Sequence, residues 1–197
     1  RLVELYRRSG RFSAIIEPKV IRQPQNRVDL IFEISEGPTT GVSSINFLGN
    51  KEFKDRKLKG KLVTKESRWW KFFSSDDSYD PDKLAYDREE LRKFYLDEGF
   101  ADFQVISAVA ELAKDGSNFI ITYVLDEGRE YRFGEASITS TLPNMNTDDL
   151  LPLIEHREGN IYKATQIDTS IDQLTLSVGE EGYASAEVRP RVKRNKE

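Results

Sequence analysis

The stretch "YLDEGFADFQV", residues 95–105, has the pattern of a helix end, a glycine and the start of a strand. Glycine at the position of Gly99 is typical of helix ends, because it adopts the left-handed backbone conformation at little cost. The chain contains nearly the same pattern twice more, as "YRRSGRFSAII" (6–16) and "VGEEGYASAEV" (178–188). One helix-to-strand corner therefore occurs three times in 197 residues.

The spacing of these corners indicates an internal repeat. The corner glycines are Gly10, Gly99 and Gly182, which are separated by 89 and 83 residues. A leucine stands eight residues before each glycine, and Tyr79 and Tyr162 stand twenty residues before the last two. A second phrase recurs with the same period, since "SEGPTTG" from position 35 is matched by "DEGREYR" from position 126. Several independent landmarks agree on one period, so the repeat is the feature that organises the fold.

One period has the order β-α-α-β-β. The apolar spacing, the Asp-Pro helix start at 80–81 and the Asp-Gly turn at 115–116 indicate the elements. They are a strand over 42–49, a helix capped by Asp55, a helix from Pro81 to Gly99, and strands over 103–112 and 118–125. The same hairpin is predicted over 14–22 and 28–34 in the first copy. Each unit is predicted to be α+β, with a three-stranded mixed sheet covered by two helices, because neither layer can bury its apolar side alone.

The composition excludes several kinds of site. The chain is 38% hydrophobic and 32% charged, carries a net charge of −4, and has no cysteine and one histidine. A His-based catalytic triad, a zinc cluster and a disulfide framework are therefore excluded, and the charge disfavours a nucleic-acid binder. The acidic stretch "DDSYDPDKLAYD" (76–87) fails as a calcium loop, since proline stands where glycine is needed. We expect His156 to be a structural residue and predict no catalytic residue, no metal and no cofactor.

The residues also resemble a known family. The β-α-α-β-β order, the 20-residue spacing from tyrosine to glycine and the phrases "NRVDLIFEISEG" (26–37), "RWWKFF" (68–73) and "LRKFYLDEGFADF" (91–103) are similar to the POTRA domains of the BamA family of outer-membrane β-barrel assembly proteins. The resemblance implies tandem POTRA repeats. Residues 1–37 would be the C-terminal part of one domain, 38–128 a complete domain, and 129–197 a domain that lacks its last strand.

What this resemblance implies about function is an interaction module without catalysis. It would be the periplasmic portion of a Gram-negative outer-membrane protein, preceding the membrane barrel of its own chain. Its partners would be unfolded outer-membrane β-barrel proteins and accessory lipoproteins such as BamB, a β-propeller. The family also carries an extended loop between the two helices of its third domain, and Trp69 and Trp70 would lie in that loop. They would either pack within the loop or form a contact surface for a sugar or peptide.

The expected binding site is a sheet edge, because an exposed edge strand can pair with any extended chain through backbone hydrogen bonds. In the family the second strand of each unit is the exposed edge. In the middle unit these residues are Phe103, Gln104, Val105, Ile106, Ser107, Ala108, Val109, Ala110, Glu111 and Leu112.

Two other functions stay open from the sequence. One is a POTRA array of a related translocation or two-partner secretion transporter. The other is a small-ligand-binding or enzymatic domain, which would need a pocket with converging polar groups. A thermal-shift screen of small molecules and metals distinguishes such a domain from an edge-binding module, which should respond only to extended peptides.

Proline positions distinguish the three second strands. Eight residues after the corner glycines stand Pro18 and Pro190 in the outer copies, and Ser107 in the middle copy. Proline lacks an N–H and occurs in sheets mainly on edges, where it blunts further pairing. The middle edge is therefore predicted to be the one left open, and Ser107→Pro is predicted to close it while the unit still folds.

Two further expectations concern the units as wholes. Short linkers near Gly37 and Gly128 are expected to separate small cores that have limited mutual contact. The unit at 129–197 is expected to have an incomplete sheet, with faster hydrogen exchange at 162–190 than at 79–110.

Overall fold

The computed structural model describes residues 1–25, 27–37, 39–67, 79–114, 117–143 and 145–195. The chain divides into two compact units. The first comprises Arg1–Arg92 with Gln104–Asp126, and the second comprises Lys93–Phe103 with Glu127–Glu197.

A helix and a hairpin begin the first unit. Helix α1 spans Leu2–Arg8, and strands β1 (Ile15–Gln23) and β2 (Arg27–Ser35) form an antiparallel two-stranded sheet. Each strand agrees with its predicted range to within one residue. Nearly all residues of both strands are exposed, since no further layer covers this hairpin within the described residues.

The central sheet of the first unit has the predicted three mixed strands. Strands β3 (Gly41–Leu48), β4 (Gln104–Leu112) and β5 (Asn118–Asp126) are arranged in the order β3-β5-β4. Strand β3 runs parallel to β5, and β4 runs antiparallel to it. The last strand in sequence is therefore the central strand in space. Its alternate residues Phe119, Ile121, Tyr123 and Leu125 are all buried, which places the core on one face of the sheet.

Two helices lie between β3 and β4 in the chain, as predicted. Helix α2 spans Asp55–Lys61 and α3 spans Pro81–Asp97. Asp80 caps α3 through its side chain, which accepts a 2.9 Å bond from the Asp82 N–H. The prediction that Asp55 caps α2 was wrong: the N-cap is Lys54, and Asp55 is the first helical residue. Its carboxylate instead accepts a bond from the side-chain amide of Asn50, which satisfies it without a capping role.

A buried carboxylate ties the end of α2 to α3. Asp87 on α3 is completely buried, and its two oxygens accept bonds from the backbone N–H groups of Val63 and Thr64. These N–H groups lie just after the end of α2, where the backbone no longer bonds to helix carbonyls and needs acceptors from another element. The carboxylate thereby fixes the position of one element against the other.

The second unit is helical and irregular. Helix α4 spans Ala164–Glu180, and short 3-10 turns occur at Thr147–Asp149 and Leu151–Leu153. Leu150, Leu174 and Val178 form a buried core cluster, and the last two belong to one face of α4. No strand occurs in the described part of 127–195, where only an isolated bridge joins Arg132 to Ile161.

The missing strands of this segment have a physical explanation in the sheet order of the first unit. There the first and second strands never pair with each other, because both pair with β5. No strand equivalent to β5 occurs in the described residues of 127–195, so the other segments there have no central strand to pair with. Strand formation depends on that pairing, whereas a helix satisfies its own backbone.

All three corners that the sequence singles out have the same backbone structure. Gly10, Gly99 and Gly182 have φ angles of +76°, +102° and +97°. In each corner the residue after the glycine donates its N–H to the carbonyl five residues earlier, over 2.9, 2.9 and 3.2 Å. This is the Schellman arrangement, which ends a helix and directs the chain away from it.

Each of the first two corner glycines also takes part in a three-residue joint with the chain that follows. The first joint consists of Gly10, Thr40 and Tyr79, and the second of Gly99, Tyr131 and Tyr162. In both, the glycine carbonyl accepts a 2.8 Å bond from the middle residue. The carbonyl of that middle residue accepts a bond from the tyrosine N–H, over 3.3 Å in the first joint and 2.9 Å in the second. The recurring tyrosine therefore has a structural role at the joint.

Candidate functional site: the free edge of strand β4

Strand β4 lies at the edge of the three-stranded sheet. It pairs with β5 on one side, and within the described residues no strand pairs with its other side. Such an edge presents backbone N–H and C=O groups in the geometry that a further strand requires. The structure thus places the predicted strand at an open position of the sheet.

The hydrogen-bond pattern shows which residues direct their backbone groups outward. Just beyond β4, the Ala113 N–H donates to the Asn118 carbonyl over 2.8 Å, so these two residues form a hydrogen-bonded pair. Hydrogen-bonded and non-hydrogen-bonded pairs alternate along an antiparallel ladder. Glu111, Val109 and Ser107 consequently bond to β5, whereas Leu112, Ala110 and Ala108 direct their N–H and C=O groups to the free edge.

The structure does not bring all ten predicted residues to this edge. Phe103 precedes β4; it is buried, and its ring stacks on Tyr95 with centroids 3.9 Å apart. The register shifts between Val105 and Ser107, so Ile106 has no residue directly opposite it on β5. Its side chain is 63% exposed. The regular part of the free edge therefore starts at Ser107.

Because of this register shift, the residue of β4 that corresponds to Pro18 of β1 is not the one found by counting from the corner glycine. Pro18 in β1 lies opposite Phe32 and has no N–H, so it occupies a non-hydrogen-bonded position whose backbone faces away from β2. Ser107 stands at the same distance from its corner glycine, yet it belongs to a hydrogen-bonded pair with Val124. The residue that shares the outward orientation of Pro18 is Ala108. This register argues against Ser107→Pro as a harmless way to close the edge, since proline there removes a donor to β5.

The remaining candidate residues lie elsewhere. Trp69 and Trp70 fall outside the described residues. His156 is half-buried and stacks on Phe133 with centroids 4.1 Å apart, and burial lowers the pKa of its imidazole. No cluster of three or more metal-binding side chains was found in the described part of the chain. None of the helices in the described residues has the length and apolar character that a membrane span requires.

One side-chain pair recurs at two of the corners and was not predicted from the sequence. Tyr6 donates its hydroxyl to Glu36 over 3.3 Å at the surface, and Tyr95 donates to Glu127 over 2.8 Å in the interior. Each tyrosine stands four residues before its corner glycine, and each glutamate belongs to the recurring Glu-Gly phrase. Reading the two landmarks together would have indicated the contact, because the period brings both to the same corner.

Two curated relatives match almost the whole chain. An outer membrane protein assembly factor BamA of Neisseria meningitidis serogroup B is 28% identical over 187 residues, which is 95% of this chain and 24% of that protein. The BamA of Neorickettsia risticii is 26% identical over 189 residues, which is 96% of this chain and 25% of that protein. The chain thus spans about a quarter of the length of these relatives.

A solved structure and a family model agree with the fold. The chain resembles the crystal structure of Haemophilus influenzae BamA POTRA3-5 with a TM-score of 0.54 and 16% identity, over 91% of this chain and 66% of that one. The POTRA family model, described as a surface antigen variable number repeat, matches residues 40–128 and 131–197. The two ranges matched by the family model together cover well over half of the sequence. The chain belongs to the POTRA family, as a tandem array of its repeats.

Proposed function

We propose that the chain is a periplasmic interaction module of an outer-membrane protein assembly machine. In this proposal it binds extended segments of unfolded outer-membrane proteins, and of accessory lipoproteins such as BamB, by adding them as a strand to the free edge of β4. It performs no chemical step. The observation that supports this most is the open side of β4, where Ala108, Ala110 and Leu112 direct their backbone groups outward.

Backbone pairing fits the clients of such a machine. Unfolded outer-membrane proteins share the ability to form β-strands and have little common sequence. Main-chain hydrogen bonds supply affinity without reading side chains, so one edge can accept many of them. The three outward-facing residues offer six backbone groups, each contributing about 1 kcal/mol when paired. Such an edge supports weak, reversible binding, which suits a transfer step.

We also propose that the functional units are 1–37, 38–128 and 129–197. The ranges of the family matches support boundaries near these positions. Gly37 and Gly128, next to the proposed boundaries, have φ angles of +66° and +69° and pack against Ser13 and Asp102. Ser13 and Asp102 both stand three residues after a corner glycine, so the boundary glycines occupy matching places in the repeat.

Proline scanning of β4 tests the binding proposal. Ala108→Pro removes only an N–H that faces the free edge, so the protein should fold and lose most of its affinity for a fluorescent extended peptide. Val109→Pro is the matched control, since it removes a donor to β5 and should lower the thermal unfolding midpoint. A second experiment keeps the parent protein and uses two versions of the peptide, N-methylated on one or the other set of alternate residues. The version whose methyl groups point toward β4 cannot form the backbone hydrogen bonds and should not bind.

The proposal is contradicted by two results. One is a folded Ala108→Pro protein that binds the peptide as well as the parent. The other is equal binding of both N-methylated peptides, because only alternate N–H groups of an added strand bond to the edge, so methylation should matter in one peptide and not in the other.

A further inference from the structure

The outer face of the sheet, beside the free edge, carries an apolar and an acidic side chain in adjacent rows. Val109 lies in one row with Thr122 and Asn46, and Glu111 lies in the next with Ile120 and Ser44. Both side chains are exposed, Val109 at 48%. They alternate with Ala108 and Ala110, which are half-buried on the helix-covered side.

The ladder geometry makes these two positions the closest contacts for an added strand. Val109 and Glu111 use their backbone groups to bond to β5, so an antiparallel strand on the free side would bond to Ala108, Ala110 and Leu112. The residues opposite Val109 and Glu111 would then form non-hydrogen-bonded pairs. Side chains approach most closely in such pairs, with Cα atoms about 4.5 Å apart. Cross-strand selectivity is consequently concentrated at Val109 and Glu111.

The charge at this position is uncompensated on the described surface. No ion pair or hydrogen bond reaches the Glu111 carboxylate from the described residues, and its row neighbours Ile120 and Ser44 are uncharged. The nearest basic residue in sequence, Lys114, lies beyond the end of β4. A cation opposite Glu111 gains an attractive pair, and an anion there meets like charge at close range.

We infer that, if strand addition at β4 occurs as proposed above, this edge selects antiparallel segments with a basic residue opposite Glu111 and an apolar residue opposite Val109. The substrate class is an extended segment in which lysine or arginine stands two residues before an apolar side chain on the same face. The neighbouring alternate residues face Ala108 and Ala110 and pack on the helix-covered side.

Two heptapeptides test this selection against the full chain by fluorescence anisotropy. Thr-Val-Lys-Val-Ile-Val-Thr places lysine opposite Glu111 and isoleucine opposite Val109 in the antiparallel register, and the second peptide has glutamate in place of lysine. The parent should bind the lysine peptide about fivefold more tightly, as expected for a close cross-strand charge pair. Glu111→Lys should reverse the preference. Glu135→Lys makes the same change of net charge at an exposed residue of the second unit and should leave the preference intact.

The outcomes separate this inference from the function on which it rests. If both peptides bind with equal affinity, and Ala108→Pro weakens both, strand addition stands and the selection is wrong. If the preference for lysine survives in Glu111→Lys, the selection is also overturned, because general electrostatic attraction then accounts for it. If neither peptide binds the parent, both the proposed function and the selection fail.

Discussion

At Gly99 two separate constraints disfavour a side chain. The residue has φ of +102°, and an added Cβ would lie 2.9 Å from Cγ2 of Ile161 and 3.0 Å from Cγ of Glu130. Gly182 shares the left-handed conformation, with φ of +97°, but has open space around it. Gly179 lies within α4 and also has open space. Substitutions at these three glycines can therefore distinguish the cost of backbone strain from the cost of steric overlap.

Substitution of each by alanine should therefore give graded effects. Gly99→Ala should lower the free energy of unfolding by about 3 kcal/mol, since strain and overlap act together. Gly182→Ala should cost about 1 kcal/mol from backbone strain alone. Gly179→Ala should be neutral or stabilise by up to about 1 kcal/mol, because alanine favours the helix. Urea unfolding followed by circular dichroism measures all three; equal losses at Gly99 and Gly182 would show that the packing contribution is absent.

His156 should make stability depend on pH. Burial lowers the pKa of its imidazole in the folded protein, whereas the unfolded chain binds the proton near pH 6.5. The unfolded state then holds more protons between these two pKa values, so stability falls as pH drops through 6.5. The His156→Phe variant should lack this contribution. Thermal unfolding of both proteins from pH 7.5 to pH 5 tests this: the parent should lose stability relative to the variant, and parallel curves would refute the assignment.

Among the elements, helix α3 is tied to the end of α2 by the buried carboxylate of Asp87. Asp87→Ala would leave the N–H groups of Val63 and Thr64 without this acceptor, which should cost about 2–4 kcal/mol. Glu89→Ala removes an exposed carboxylate from the same helix and should change stability by less than about 0.5 kcal/mol. Chemical denaturation of the two variants gives the comparison; a small loss for Asp87→Ala would mean that water replaces the carboxylate.

The elements also show how far local sequence determines structure. The glycine corners, the Asp-Pro start of α3 and the bounds of β4 depend on nearby residues, and the sequence predicted them to within one residue. The register shift at Ile106 depends on the partner strand, and nothing in "FQVISAVAEL" marks it. For that reason counting from Gly99 selected Ser107, where the structure selects Ala108.

At the scale of the whole molecule, the repeat preserves contacts while it changes their surroundings. The Tyr-Glu pair occurs in both units, exposed between Tyr6 and Glu36 and buried between Tyr95 and Glu127. No strand occurs in the described residues of 127–195, where an incomplete sheet was expected, and no central strand is present among those residues to pair with. Sequence periodicity predicts which residues occupy equivalent positions, and burial then determines how much each contact contributes to stability.

Paired substitutions of the two tyrosines test that difference. Tyr95→Phe removes a buried hydrogen bond to a carboxylate and should cost about 1.5–3 kcal/mol. Tyr6→Phe removes the equivalent bond at the surface and should cost less than about 0.5 kcal/mol. Thermal unfolding under identical conditions compares them. Equal effects would indicate that the buried position of the second pair adds nothing.

Strand addition to the free edge of β4 is tested most directly by residue-resolved hydrogen exchange of the backbone amides of that strand. In the free chain the amides of Ser107, Val109 and Glu111 should exchange slowly, because they bond to β5, and those of Ala108, Ala110 and Leu112 should exchange rapidly. An extended peptide should slow exchange at Ala108, Ala110 and Leu112 alone. Binding without this alternating protection, or protection spread evenly along β4, would contradict the account.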